Sequence, residues 1–151
     1  VLYSGTVSVA MEAVTLGVPG IAFSSSAHQD PEMMKSQAPW IARLIKSIIA
    51  RKDFPKETVL NINLPAAPGA EIKGIKVTQL GSRFFSDSLA RMQDPWGRPL
   101  YWIGGGKITW TGDADSDHQA VADGYISVTP LHMDLTNYKL LDTVRGWSLD
   151  K

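Results

Sequence analysis

Residues 4–24, SGTVSVAMEAVTLGVPGIAFS, contain the pattern that decides the fold. A Ser or Thr side chain at the start of this stretch can cap a helix, because its hydroxyl accepts a hydrogen bond from a free N–H of the first turn. Apolar residues then recur at helical spacing as far as Leu16, and Gly17 with Pro19 ends the pattern. The stretch therefore predicts a helix over about residues 6–16 and a short buried strand over residues 21–24.

A second helix and strand follow. Asp30–Pro31 is a good helix start, with an acidic cap and a proline at the first helical position. The apolar spacing continues to about Arg51, and Pro39 predicts either a kink or a later start near Ser36. Residues 59–64 alternate as a strand. The order helix, strand, helix, strand indicates an α/β fold with a parallel sheet.

The pattern changes near residue 66. Residues 75–79 alternate cleanly, which favours a sheet with one wetter face. A turn signal at Asp94–Gly97 and the aromatic strand after it predict a hairpin over about residues 83–103, and Gly104–Gly106 breaks the pattern. The remaining predicted elements are an acidic loop and short helix (113–122), a strand (125–129) and a closing helix (137–147).

Composition excludes several classes of protein. Lys plus Arg and Asp plus Glu number 15 each, whereas proteins that bind nucleic acid polymers carry a basic excess. The absence of cysteine excludes disulfides and Cys-based zinc sites. No apolar run approaches the roughly 20 residues that span a bilayer, and no secretory signal is present, so we expect no membrane partner and a cytoplasmic location. The start at Val1 suggests a processed or truncated piece.

Ser4-Gly5-Thr6 is the first candidate site. Two hydroxyls around a glycine at a helix start offer side-chain donors, free backbone N–H groups and the positive end of the helix dipole. A phosphate suits this arrangement in charge and geometry. A plain helix cap without any ligand is the commoner use of such residues, so the motif alone leaves both interpretations open.

Three other groups of residues are candidate sites. The run 112–118 has alternating carboxylates but lacks the glycine and the glutamate that an EF-hand calcium loop needs, so it is interpreted as a solvated loop that caps a helix. The three histidines are not at metal-binding spacings and are interpreted as structural or exposed; they are His28, His118 and His132, of which His132 has a possible carboxylate partner in Asp134. The third group is four aromatic residues, Trp96, Tyr101, Trp102 and Trp110. They could stack on a nucleobase, but aromatic residues more commonly cover a hairpin or an oligomer interface.

Several stretches, in order along the chain, resemble the SurE (survival protein E) family. Tyr3–Val7 with Ala10–Glu12 is similar to the family's Ser-Gly-Thr-Val helix start, and Leu60–Pro65 resembles its Leu-Asn-Ile-Asn strand. The resemblance continues through residues 73–78, 94–97, 101–102, 117–121, 124–131 and 134–136. It covers essentially the whole chain.

This resemblance implies a 5'-nucleotidase, a metal-dependent phosphatase that converts nucleoside 5'-monophosphates to nucleoside and phosphate. It implies that Ser4, Gly5 and Thr6 face the phosphate. The family holds its divalent ion, Mg or Mn, through an Asn-Asp-Asp-Gly motif, a later Ser and an Asn of a Ser-Gly-Ile-Asn segment, all of which lie upstream of Val1. Asn61 and Asn63 belong to a different motif and do not replace those ligands. We therefore expect an incomplete, inactive piece of the enzyme.

The resemblance also implies the C-terminal part of a Rossmann-like SurE fold. Residues 1–66 would end its α/β core, and residues 67–151 would form the β-hairpin, strand and C-terminal helix region of the same domain. The hairpin and the last helix would serve assembly into a homodimer or homotetramer. The alternative function is a module that binds a nucleotide or another anion, or that oligomerises, without catalysis.

Overall fold

The computed structural model describes residues 1–27, 29–85, 89–103 and 108–149. The helices are α1 (Gly5–Thr15), α2 (Pro31–Ile49), α3 (Asp117–Ala122) and α4 (Leu141–Arg145). The strands are β1 (Gly20–Ser25), β2 (Thr58–Leu64), β3 (Ile75–Val77), β4 (Ser82–Phe85), β5 (Leu89–Gln93), β6 (Pro99–Ile103), β7 (Ile108–Thr111) and β8 (Ile126–His132). Short 3-10 turns lie at Gly69–Glu71 and Tyr138–Leu140.

A four-stranded sheet in the order β1-β2-β8-β3 forms the centre of the fold. Strands β1 and β2 are parallel, as the helix–strand alternation predicts. Strand β8 enters between β2 and β3, antiparallel to β2 and parallel to β3, so the sheet is mixed. The carboxyl ends of β1 and β2 therefore share one edge of the sheet with the amino ends of β8 and β3. We call this the carboxyl edge.

Helices cover both faces of this sheet because side chains alternate along β2. Val59 belongs to an apolar cluster with α1, whereas Ile62 and Leu64 belong to a second cluster with α2. Val59 and Ile62 are fully buried. Each such side chain contributes about 1.5–3 kcal/mol through its removal from water. The two clusters therefore fix α1 and α2 on opposite faces.

Helix α2 corrects one prediction and confirms another. It begins at Pro31, as the Asp30–Pro31 signal predicts, and the alternative start near Ser36 is wrong. The Asp30 carboxylate accepts a hydrogen bond from the Met33 N–H at 2.9 Å, which satisfies a donor of the first turn. Pro39 lies inside the helix. The cap and the apolar packing of the helix offset the hydrogen bond that this proline cannot make.

The predicted hairpin is present, but it is longer than residues 83–103. Strands β5 and β6 pair around the Asp94–Gly97 turn, where Gly97 has a φ of 79° and donates its N–H to the Asp94 carbonyl at 2.9 Å. Strand β4 pairs with β7, which extends the ladder to Ser82 opposite Thr111. The predicted break at Gly104–Gly106 lies outside the described residues.

The predicted closing helix over residues 137–147 is shorter in the structure. A 3-10 turn precedes α4, which covers only Leu141–Arg145. Across the described ranges, no helix combines the length and the apolar character needed to cross a membrane.

Candidate functional site

Helix α1 begins with hydrogen-bond donors that the helix itself does not use. Ser4 has an extended backbone, and its Oγ accepts a hydrogen bond from the Val7 N–H at 3.3 Å. The Ser4 carbonyl accepts from the Ser8 N–H and the Ser8 hydroxyl, both at 2.9 Å. Gly5 and Thr6 are exposed, and their N–H groups have no partner among the described residues. The first turn therefore offers two backbone donors and two hydroxyls to solvent.

The direction of α1 brings this helix start toward the carboxyl edge. A short turn through Gly17, with a φ of 81°, joins the helix to β1. Gly20 at the start of β1 lies under α1, where a Cβ atom would stand 2.3 Å from the Ala10 carbonyl oxygen. Helix and strand thus run in opposite directions. The amino end of α1 points toward the edge where β1 and β2 end, which is where α/β sheets bind their ligands.

The electrostatics of the helix start favour an anion. No acidic residue lies in the first turn of α1, so no side chain compensates the positive end of its dipole. A Cβ atom added at Gly5 would meet no other atom within 4 Å, so the backbone at this position is open to approach. A phosphate oxygen at this point would accept hydrogen bonds from N–H groups that water otherwise satisfies.

A cavity of about 660 Å³ opens at the same edge of the sheet. One wall is formed by Ser26, directly after β1, and by Asn63, near the end of β2. Asn63 donates its amide to the buried Ser127 hydroxyl across the β2–β8 pair at 3.2 Å. The cavity continues to the first turn of α3, where it meets His118.

Residues 112–118, the acidic run before α3, link that helix to the start of the hairpin through hydrogen bonds. Ser116 is the N-cap residue and is fully buried, and its hydroxyl lies 3.0 Å from Nδ1 of His118. The Asp117 carboxylate accepts hydrogen bonds from the N–H groups of Gly81 at 2.9 Å and His118 at 2.8 Å. The short helix that the sequence predicts in this region is confirmed; Ser116 occupies its N-cap position, but its side chain makes no capping hydrogen bond.

His118 has a second role that the sequence does not indicate. Its ring stacks on Trp110 from β7, with ring centroids 5.2 Å apart and planes at 12°. The two rings line the cavity together. Because they are eight positions apart and lie in different elements, residue spacing alone carries no signal for this pair.

His132, the other histidine that the structure describes, makes a local contact of its own. His132 Nδ1 lies 3.1 Å from the backbone carbonyl of Asp134, so the predicted contact is made to the main chain rather than to the carboxylate. Hydrogen bonds from Thr136 and Tyr138 lower the pKa of Asp134 to about 2. His28 lies outside the described residues. Trp96, Tyr101 and Trp102 are exposed on the hairpin.

The described residues do not fit a divalent metal ion. Within the part of the chain that the structure describes, no three His, Asp or Glu side chains converge closely enough to hold one. Neither Asn61, which is buried in the sheet, nor Asn63 belongs to such a group.

These features define an α/β protein whose first helix starts at the carboxyl edge of a parallel strand pair, beside a cavity. The model of the family Survival protein SurE matches residues 1–87, more than half of the chain. The chain belongs to the SurE family.

Similar proteins support the same assignment. The 5'-nucleotidase SurE of Gemmatimonas aurantiaca is 52% identical over 149 residues, which cover 97% of this chain and 59% of that relative. The 5'-nucleotidase SurE of Aquifex aeolicus is 41% identical over 145 residues, covering 96% and 57%. The crystal structure of the SurE protein from Aquifex aeolicus matches with a TM-score of 0.79 and 42% identity over 95% of this chain and 57% of that one. The chain thus spans somewhat more than half the length of these relatives.

Proposed function

We propose that the protein is a 5'-nucleotidase, which hydrolyses nucleoside 5'-monophosphates to nucleoside and phosphate. Membership of the SurE family and the names of its relatives support the reaction class. The observation that carries the proposal for this chain is the start of α1, which exposes unused donors toward the carboxyl edge. A phosphate ester is an anionic group that such a helix start binds well.

Each residue of the Ser4-Gly5-Thr6 motif has a role in this proposal. Because Ser4 Oγ already accepts from the Val7 N–H, its own hydrogen remains to be donated to a phosphate oxygen. The N–H groups of Gly5 and Thr6 and the Thr6 hydroxyl supply further donors. Fixed donors of this kind stabilise the negative charge that builds on the phosphoryl oxygens in the transition state.

We infer that the complete protein also uses a divalent ion, Mg or Mn, as the family resemblance implies. Such an ion polarises the phosphoryl group and activates water. Among the described residues no three His, Asp or Glu side chains are grouped to hold this ion. As the resemblance implies, its ligands would lie upstream of Val1. The residues of this chain then bind and orient the phosphate alone, and by itself the chain would not turn over substrate.

A homodimer or homotetramer remains part of the proposal. Trp96 and Trp102 on the hairpin expose 78% and 67% of their surface, and aromatic residues of this kind form the centres of interfaces. The proposed substrate is a mononucleotide, since the balanced net charge of the chain argues against a nucleic acid polymer.

One observation favours a second candidate function. Unused donors lie at the start of α1, where an anion could bind, and among the described residues no three His, Asp or Glu side chains are grouped to hold a metal ion. The alternative is therefore a nucleotide- or anion-binding module that does not hydrolyse its ligand. A phosphate-release assay on AMP and GMP separates the two functions, with the protein expressed from its complete gene and with either manganese or a chelator present. Release that needs manganese supports the nucleotidase, and no release supports the binding module.

Substitutions in the first turn of α1 test the roles of its residues. Thr6→Ala should lower kcat/KM for AMP by roughly 10–1000-fold, because an oxyanion-type donor is lost. Thr6→Ser keeps the hydroxyl and should restore most of the activity. Thr15→Ala is the matched control, because Thr15 ends the same helix and bonds only the Met11 carbonyl at 3.1 Å. Wild-type turnover in Thr6→Ala would remove this residue from the site.

A further inference from the structure

The cavity at the carboxyl edge is a second compartment beside the proposed phosphate site. Ser26 and Asn63, which line it, lie at the ends of β1 and β2, the same ends toward which α1 opens. Its volume of about 660 Å³ lies within the range of roughly 300–1,000 Å³ that is typical of small-molecule sites. A ligand held by its phosphate at α1 therefore has space for its other half along the same edge.

The charges around the cavity exclude the phosphate from it. Three carboxylates line it, on Glu71, Asp117 and Asp123, together with the ammonium group of Lys73. The ammonium group of Lys76 lies 3.6 Å from the Asp123 carboxylate, so the carboxylates still exceed the cations by one. The Lys73 ammonium group donates a hydrogen bond to the Asp123 backbone carbonyl at 2.7 Å. The Glu71 carboxylate has no hydrogen-bond partner among the described residues. A dianion would be repelled by this excess of negative charge. A neutral group that carries hydrogen-bond donors would be accepted.

The walls of the cavity suit a planar heteroaromatic ring. The stacked rings of Trp110 and His118 form an aromatic side, and Pro65 and Val121 add apolar surface. Asn63 donates its amide N–H to Ser127, so its carbonyl oxygen remains as an acceptor for a ligand. Apolar walls with a few fixed polar groups are the usual construction of a base-binding site.

We propose that this cavity binds the nucleobase of the nucleotide whose phosphate lies at the start of α1. The inference rests on the proposed function and adds the part of the substrate that the helix start does not recognise. It assigns phosphate binding and base binding to different residues, so the two can be impaired separately.

A cavity-filling substitution tests this division. Ala122 is exposed on α3 and lines the cavity, so Ala122→Trp should fill it without disturbing the core. In the protein expressed from its complete gene, the KM for AMP should rise about tenfold or more, as expected for loss of base contacts. The kcat/KM for ribose 5-phosphate, which has no base, should stay unchanged. Ala114→Trp introduces the same side chain at an exposed position outside the cavity and should change neither value.

An unchanged KM for AMP in Ala122→Trp would overturn the proposal. A loss of activity on both esters would indicate damage beyond the cavity. In that case, binding of adenosine, which carries no phosphate, to the wild-type protein tests the cavity assignment. Adenosine should shift the NMR resonances of the His118 ring, and their insensitivity to saturating adenosine would refute the cavity assignment. If the wild type hydrolyses neither ester, the proposed function fails, and the adenosine titration still tests the cavity independently.

Discussion

Gln37 offers the sharpest test of how the carboxyl edge is held together. This side chain is fully buried on α2, and its amide donates hydrogen bonds to the carbonyls of Pro65 and Ala67, both at 2.8 Å. Its carbonyl oxygen accepts from the Ser25 hydroxyl at 2.9 Å. One side chain therefore joins the last residue of β1 to the segment after β2. Ser26, which follows Ser25 directly, lines the cavity, as do Pro65 and Ala67.

Gln37→Leu keeps a side chain of similar size and removes all three hydrogen bonds. A buried group left without its partner costs about 1–3 kcal/mol, and a part-buried bond is worth about 0.5–1.5 kcal/mol. Leucine recovers a part of this through its apolar surface. We expect a net loss of about 2–4 kcal/mol in the free energy of unfolding, a large fraction of the stability of an ordinary domain.

Urea unfolding measures this loss as a lower midpoint with an unchanged slope. Ser25→Ala removes one of the three Gln37 bonds and also the bond that the Ala27 N–H donates to Ser25 Oγ at 3.1 Å, and it should cost about 1–3 kcal/mol. The double variant Ser25→Ala/Gln37→Leu should lose less than the sum of the two single changes, because the two residues share a bond. Gln93→Leu, at an exposed position of the hairpin, is the control and should stay within about 0.5 kcal/mol of wild type. A Gln37→Leu protein as stable as this control would refute the reasoning.

Two further predictions concern other parts of the chain. Gly20→Ala should destabilise the protein by about 1–3 kcal/mol or more, because its Cβ atom would stand 2.3 Å from a backbone oxygen of α1. Gly5→Ala, whose Cβ atom meets no atom within 4 Å, should change the free energy of unfolding by less than about 0.5 kcal/mol. Equal urea midpoints for the two variants would contradict this. Tyr138→Phe should raise the pKa of Asp134 from about 2 toward its ordinary 3.8, because the Tyr138 hydroxyl no longer donates to the carboxylate. A carbon-detected NMR titration measures this pKa. A value that stays near 2 in the variant would exclude the Tyr138 bond as a cause.

The early part of the fold could be predicted from sequence because its signals are local. The hydroxyl at the start of α1, its apolar spacing and the Gly17 stop all lie within one short stretch, and the Asp30–Pro31 cap works in the same way. The helix start at Ser4-Gly5-Thr6 could be predicted for the same reason, since it is visible in the order of the residues, whereas its role in phosphate binding stays a prediction.

The cavity could not be predicted, because its walls come from distant parts of the chain. Asn63 meets Ser127 across 64 positions, and only the insertion of β8 between β2 and β3 brings them together. Nothing near either residue encodes that pairing. His118 likewise gains its place in the wall from its stack on Trp110, so the sequence indicated only a helix cap and an isolated histidine.

The central claim is that backbone N–H groups and hydroxyls at the start of α1 hold the phosphate of a mononucleotide. The most direct measurement is a proton–nitrogen NMR titration of the protein expressed from its complete gene with AMP and inorganic phosphate, in the presence of magnesium. We expect the amide protons of Gly5 and Thr6 to move downfield with both ligands, and those at the far end of the helix near Thr15 to stay unmoved. Hydrolysis of AMP by a protein in which the Gly5 and Thr6 amides stay unmoved would contradict it.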